Sequence, residues 1–537
     1  MKQLTIIIIT ACCLLAACKK NILDITPTDR ISETAIWNDA VLPQLFINAQ
    51  YNSLRTGFAE DIQYYGDECY SQADLGGYQV IAKGALTPTT VGQLSRYFNY
   101  WDTGYVAIRN FNIFFGKIAT TPITDDIKKK MIAEVKFLRA FVYAKLIWNY
   151  GGVPIIEKAF TLNETLTGIK RNTYDECVAY IEKDLNDAIG VLPNIQTGAN
   201  AGRATADAAR ALKSRLLLYY ASPVNNPTNS TSRWQNASDA ALEIIKSGRY
   251  SLHPDFHGLF IGDVNNEAIF SKYYSTDVSH NLGYYSAPPG EGGLGQRDPS
   301  QNLVDAFEMT NGIIPVINGV RNPDPLNTYD ADNPYVDRDP RFYATALYNG
   351  APYKSRVIQT YAGGLDGNGN DATQTGYYLY KFIDQNLPVA ATTPYTYSWH
   401  YFRLAEIYLN YAEAQYNLGN ENEARLYVNK IRQRTSVNMP DITETGAALL
   451  TRIMHERQVE LAMEGHRYYD VRRWKIAPVT EALPIQGLRA VKNGNGTFTY
   501  TRLNLLNRVW EDAYYYLPLS FQNIQTSGNS LQQNTGY

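Results

Sequence analysis

The chain has 537 residues, enough for one large body or a few ordinary domains, with a formal net charge of only −3. That balance excludes the basic face a nucleic-acid binder needs. Five cysteines give no disulfide framework, so stability rests on packing, and 42 tyrosines with 12% aromatic residues overall mark a chain with many half-polar rings.

Residues 1–17 read as a signal peptide: Lys2 supplies the positive start and Ile6 to Leu15 an apolar stretch too short to span a bilayer as a mature helix. Leu15-Ala16-Ala17-Cys18 resembles a bacterial lipobox, so Cys18 is expected to be acylated and to become the first mature residue. Several acyl chains hold where one would not, since each buried methylene adds about 0.8 kcal/mol. The mature chain is then a body tethered to a membrane.

A helical pattern runs over 34–55, followed by an irregular stretch over 56–92. Met131, Val135, Leu138, Val142 and Leu146 form the 3.6-residue stripe of a helix packed on one side, stopped by Gly151-Gly152-Val153-Pro154. A second stripe covers Tyr174 to Val191. Thr205 is placed to cap a helix through Tyr219, with Asp207 in its first turn, and Ala237 to Ile245 closes at Gly248. From Ser251 to Tyr397 helical periodicity fades into Gly, Pro, Asn, Asp and Tyr. So long an irregular region usually carries function. Helices return over 401–418, 421–434 and 447–464, before a loop-rich tail. The pair 401–434, joined at Leu418-Gly419-Asn420, has the length and Ala spacing of a tetratricopeptide repeat. The fold class predicted is therefore mostly α, a helical-repeat scaffold with a large irregular lobe.

Enzymatic constellations are weak. His455-Glu456 begins like a zinc-protease motif, but Val459 stands where the second His belongs. Glu456, Glu460 and Glu464 share one helix face and so cannot flank a sugar from two sides as glycosidase acids must. They are expected to form an ion-pair network with Arg457, Arg467, Arg472 and Arg473. Asp366 to Asp371 starts like a calcium loop, yet Asp371 and Tyr377 occupy the positions for Gly and Glu. No cofactor is required; a looser structural calcium site at this loop is the alternative.

Seven stretches, in order, resemble the SusD/RagB-like family of outer-membrane lipoproteins: Leu23-Asp24 with Pro27-Thr28; Arg139-Ala140-Phe141 with Tyr150 to Pro154; Ala204 to Leu212; Asp337-Arg338-Asp339-Pro340-Arg341; Arg403 to Ala414; Glu456-Arg457 through Arg473-Trp474; and Gln532 to Tyr537. The resemblance implies four tetratricopeptide-like helix pairs plus a ligand-bearing lobe, divided near 18–250, 251–400 and 401–537. It implies a non-enzymatic receptor for oligosaccharides, lipid-anchored in the outer membrane, facing the cell exterior and partnered by a TonB-dependent SusC-like transporter. Lys19-Lys20 depart from the acidic or polar residues that surface-exported relatives carry after the acylated Cys.

A sugar ring stacks on an aromatic face while Asn, Asp, Arg and Gln read its hydroxyls. Trp37, Trp101, Trp148, Trp234 and Trp474 sit in helical patterns and are expected in the core. Tyr70, Tyr78, Tyr284, Tyr285 and Trp399 are the candidate stacking rings, with Tyr361, Tyr395 and Tyr397 behind them. Asp67, Asp74, Asn281 and Arg297 are the candidate polar contacts, and Glu68 and Asp298 lie beside them. Two rival readings stay open: an exported glycoside hydrolase using Asp67, Glu68 or Glu291, and a scaffold that binds protein alone.

Overall fold

The computed structural model describes residues 36–161, 163–262 and 265–537. The signal peptide, Cys18, Lys19-Lys20 and the Leu23 to Thr28 motif lie outside them. Among the described residues no helix is long and apolar enough to cross a membrane.

The scaffold is a run of helices, α1 (Leu42–Gln50), α2 (Trp101–Lys117), α3 (Asp125–Tyr150), α4 (Tyr174–Ile189), α5 (Ala206–Ala221) and α6 (Thr231–Ser247), in which α2 to α6 each pack on the next and α1 packs on α3. Short α7 (Leu282–Ser286) lies in the irregular lobe; α8 (Leu404–Asn417), α9 (Glu421–Arg432), α10 (Gly446–Glu460) and α11 (Arg467–Arg473) complete the stack. Although some 150 residues separate them in sequence, α6 packs directly on α8, so the repeat stack continues across the insertion.

Local chemistry sets the ends. Thr205 Oγ1 accepts the Ala208 amide at 3.0 Å, and Thr173 and Glu176 form a reciprocal capping box at the start of α4. Gly248 (φ +64°) closes α6, and Gly419 (φ +84°) turns α8 into α9. Thr205→Ala is expected to cost about 1 kcal/mol in chemical denaturation, the usual loss for an N-cap.

The one-sided stripe expected for α3 is overturned. From Phe137 to Tyr150 every residue is buried, so this helix is the centre of the stack rather than a face of it. Its charges survive there because each has a partner: Arg139 holds Asp184 in two bonds of 2.7 and 2.9 Å, and Lys145 holds Glu60.

The lobe is an insertion closed at its own base. Strand β2 (Ala268–Lys272) pairs antiparallel with β4 (Trp399–Arg403), which brings the chain's entry and exit together. Residues 401–403, expected to open a helix, thus belong to this ladder. A second tie joins β1 (Cys69–Tyr70) to β3 (Asp298–Pro299), with Cys69 opposite Pro299 and Tyr70 opposite Asp298. It fixes the 56–92 stretch against the lobe. The tail, expected to be loop-rich, contains an eight-pair hairpin of β5 (Ile485–Lys492) and β6 (Phe498–Leu506). Asn493-Gly494-Asn495-Gly496 makes its turn, a strong hairpin signal.

The expected glutamate network exists, but its cations come from elsewhere. Glu456 pairs with Arg341 and Arg432 (2.5 and 2.8 Å), Glu460 with Arg341, Arg403 and Arg434, and Glu464 with Arg403 and Lys381. The neighbours in sequence serve other acids: Arg457 and Arg473 meet Asp470, Arg467 meets Asp67, and Arg472 donates to the carbonyls of Tyr514 and Tyr468. Arg341 and Lys381 belong to the lobe, so this buried cluster bolts lobe to scaffold. His455 Nε2 donates to the Ala306 carbonyl (2.7 Å), and among the described residues no group of three or more His, Cys, Asp or Glu is placed to hold a metal ion. Asp366 is buried and gripped by Arg356 through bonds of 2.7 and 2.8 Å, which occupies the first ligand of the calcium-like loop.

Candidate functional site

A cleft of about 340 Å³ opens where the 57–76 stretch meets the lobe, a size typical of small-ligand sites. Phe58, Asp61, Leu75 and Gly76 form one wall; Ser279, His280, Asn281, Leu282, Tyr285, Gln296 and Arg297 form the other. The β1–β3 tie holds the walls in register. α7 presents Tyr285, and the returning chain is fastened to it by the Gln296 amide on the Tyr285 carbonyl (2.8 Å) and the Leu294 amide on the Tyr284 carbonyl (3.1 Å).

Arg297 is the keystone. Its Nη2 donates to Asp61 Oδ1 at 2.8 Å and to the Phe58 carbonyl at 2.9 Å, while its own amide donates to the Tyr64 hydroxyl at 2.9 Å. Asp61 (φ +58°) and Arg297 (φ +60°) both stand in the left-handed region, which costs a non-glycine residue about 1–2 kcal/mol. Such strain persists only where the surroundings enforce it, and it gathers at ligand sites. Gly76 (φ +72°) supplies the bend in the facing wall without that cost. Burial pushes the Asp61 carboxyl up, and Arg297 opposes the rise. The charges compensate within the pair, so the cleft offers hydrogen-bonding groups with no net charge.

His280 packs against Phe58 with the ring centres 4.6 Å apart and the planes tilted by 40°. Burial pulls its pKa down to about 4, so the ring is neutral at pH 7. Its Nε2 meets the Tyr397 carbonyl at 3.2 Å and its Nδ1 accepts the Leu282 amide at 3.3 Å, which fixes the tautomer as Nε2–H.

Of the candidate residues, the structure brings Asn281, Tyr285 and Arg297 together on this cleft. Tyr285 is 39% exposed; Tyr284, half-buried, packs against the core 5.5 Å from it. The other rings are structural in position. Tyr78 is buried, stacks on Tyr64 and donates to the Ser71 carbonyl at 2.8 Å. Trp399 is buried on β4 and backs Phe58 at 5.1 Å, so closely that a Cβ on Gly57 would meet its ring at 2.2 Å. Tyr70, Tyr395 and Tyr397 are buried as well, and Tyr361 lies 5.3 Å from Phe498 on the hairpin. The five helical tryptophans are all buried, as expected. Asp74, in the left-handed region, accepts the Gln79 amide at 3.0 Å and does not line the cleft.

The proposed hydrolytic acids are each committed. Asp67 forms a two-bond pair with Arg467 (2.8 Å each), and Glu291 holds Arg356 at 2.6 Å. Glu68 accepts the Met463 amide at 3.2 Å, away from the cleft; burial first and the charge of Asp67 second push its pKa to about 8. Asp298 is likewise pushed up by burial. The sequence reading missed Phe58, Asp61, His280 and Gln296. His280, one of only six histidines and set in a Tyr- and Gly-rich loop, was the available signal.

Comparison with known proteins follows this geometry. A family model described as SusD family matches residues 261–537, and one described as starch-binding associating with outer membrane matches residues 25–218. A SusD-like protein from Formosa agariphila is 25% identical over 426 residues, covering 75% of this chain and 74% of its own. The crystal structure of a SusD-like protein from Bacteroides fragilis superposes with a TM-score of 0.81 at 30% identity, over 95% of this chain and all of that one. A second B. fragilis structure, described as a SusD-like carbohydrate binding protein, has a TM-score of 0.78 at 23% identity, over 92% and 99%. With the first of these models spanning just over half the chain and the helical stack shared end to end, this chain belongs to the SusD family.

Proposed function

We propose that this chain is a non-catalytic oligosaccharide receptor whose ligand sits in the Phe58–Tyr285–Arg297 cleft. The observation that carries this reading is the composition of the cleft. It has one exposed ring for a sugar face, a rim of Asn281, Gln296, Asp61 and Arg297 for hydroxyls, and a single carboxylate, Asp61, already bound to Arg297. Glycoside hydrolysis needs two carboxyls flanking the bond, one of them free to donate a proton. Capture needs neither. The description of the B. fragilis relative as carbohydrate binding supports the same reading.

The lipobox at Cys18 and the family description as associating with the outer membrane support a body tethered there by acyl chains, outside the cell, from which captured sugar passes to a TonB-dependent, SusC-like transporter. The acylated Cys, rather than any membrane span, is the anchor in this account.

Tyr285→Ala tests the cleft. Losing a central stacking ring typically removes about 2 kcal/mol, so retention on a glycan affinity gel should fall roughly thirtyfold. The melting temperature should hold, because the ring is 39% exposed. Tyr284→Ala, by contrast, should lower the melting temperature, since that ring packs on the core. Unchanged retention in Tyr285→Ala, against a glycan the native protein binds, rejects the cleft.

A further inference from the structure

A second cleft, of about 400 Å³, lies at the C-terminal end of α3. Two motifs far apart in the chain converge on it: Gly151-Gly152, where α3 stops, and Asn534-Thr535 near the C-terminus. Tyr174, Tyr515 and Tyr516 supply its rings. Gly151 takes the turn out of α3 at φ +75°, which a residue with a Cβ rarely adopts.

Its charge differs from that of the first cleft. Arg171 and Lys475 line it and, among the described residues, neither pairs with a carboxylate; Asp512, the one acid on the wall, accepts only the Trp510 indole N–H at 3.2 Å. Arg171 donates to the carbonyls of Gly152 (2.6 Å), Gln532 (2.9 Å) and Tyr150, leaving two of its five N–H donors unused. Burial pulls its pKa below the ordinary arginine value, with no carboxylate among the opposing influences. The carbonyl end of α3 offsets part of its charge. Lys475 has no carboxylate within ion-pair distance among the described residues; it is exposed, 5.8 Å from the Tyr515 ring centre, on a left-handed backbone (φ +59°). Behind the shared wall of Tyr174, Tyr515 and Tyr516, buried Arg472 also lacks a carboxylate among the described residues; its guanidinium lies over the Tyr468 ring at 3.6 Å, and its Nη2 makes no hydrogen bond there.

Positive charge concentrated in a concave, ring-lined space draws anions and strengthens their binding. We propose that this cleft is a second saccharide site, selective for acid-bearing sugars, with a carboxylate or sulfate group on Lys475 and Arg171 and the sugar face on Tyr515. The uncharged first cleft and this cationic one then take different sugars. The proposal stands apart from the first cleft's role and is tested apart from it.

The test uses calorimetry on the mature chain with three probes: trigalacturonate, a sulfated hexose disaccharide and neutral maltotriose. At least one acidic probe should bind. Lys475→Asn, which keeps a residue suited to the left-handed backbone, should weaken it about tenfold or more, and Tyr515→Ala should do the same. Added salt should weaken it too, because the attraction is screened. Tyr285→Ala should leave it intact. The proposal is overturned if neither acidic probe binds the native chain, if Lys475→Asn with an unaltered melting curve binds as tightly as native, or if Tyr285→Ala alone abolishes the binding. Should Tyr515→Ala lower the melting temperature, Lys475→Asn decides.

Discussion

Glu460→Gln is expected to destabilise the protein by about 3–5 kcal/mol, the usual cost of breaking a buried ion pair from one side. Glu460 is shared by Arg341 (3.1 Å), Arg403 (2.8 Å) and Arg434 (2.7 Å), all buried. A neutral amide leaves three guanidiniums with less anion than they need, and the cluster joins lobe to scaffold, so both lose their common fastening. The same cluster sets an acid limit. Burial pushes the Glu460 carboxyl up, but Arg434, Arg403 and Arg341 together outweigh it and hold the pKa well below the ordinary value; Glu456 is held at about 2 in the same way by Arg341 and Arg432. Carboxyls depressed on folding contribute stability above their unfolded value, 4.5 for Glu456, and lose it as pH falls toward 2. The network's contribution should thus be constant from neutral pH to about 4.5 and fade below, read as a steep drop of the native denaturation midpoint under pH 4.5. In Glu460→Gln the midpoint should start lower and drop less. Equal midpoints for the two proteins at pH 7 contradict the network's role.

Glu68→Gln should act in the opposite sense. A carboxyl whose pKa is raised to about 8 on folding binds more protons in the native than in the unfolded state between 4.5 and 8. Stability therefore falls as pH rises through that window. Gln keeps the acceptor for the Met463 amide and cannot ionise. The variant should match native stability near pH 5 and exceed it by on the order of 3 kcal/mol above pH 8, read from melting curves at both values. A raised glutamate pKa is also what a general acid requires, so this residue separates receptor from hydrolase. On the receptor account the substitution changes stability and leaves glycan binding as it was, because Glu68 does not line the cleft.

What the sequence made legible is what depends on neighbours in the chain. The stripes of α4 and α5, the caps at Thr205 and Gly248 and the Gly419 turn are local, and each stands where it was expected. α2 was given no bounds because Gly104, its β-branched residues and its five aromatic rings blur the helical period, and no side chain caps its start. The β5–β6 hairpin went unread although Asn493-Gly494 announced it. Partner choice was illegible: Glu456, Glu460 and Glu464 take cations from 341, 381, 403, 432 and 434 because the fold, not the helix, brings those together. The site divides along the same line. Lying in an irregular stretch did not make an aromatic ring free, and Tyr70, Tyr78 and Trp399 are buried in the main hydrophobic core. The cleft is assembled from residues about 220 positions apart, so Asp61, opposite Arg297, had no local signature.

The most direct test of capture without cleavage is chromatography of a glycan panel after prolonged incubation with the purified mature chain. The account predicts that at least one oligosaccharide is retained by the protein and is recovered at its original length, with no new reducing ends. Shortened products, or no retained glycan of any class, would contradict it.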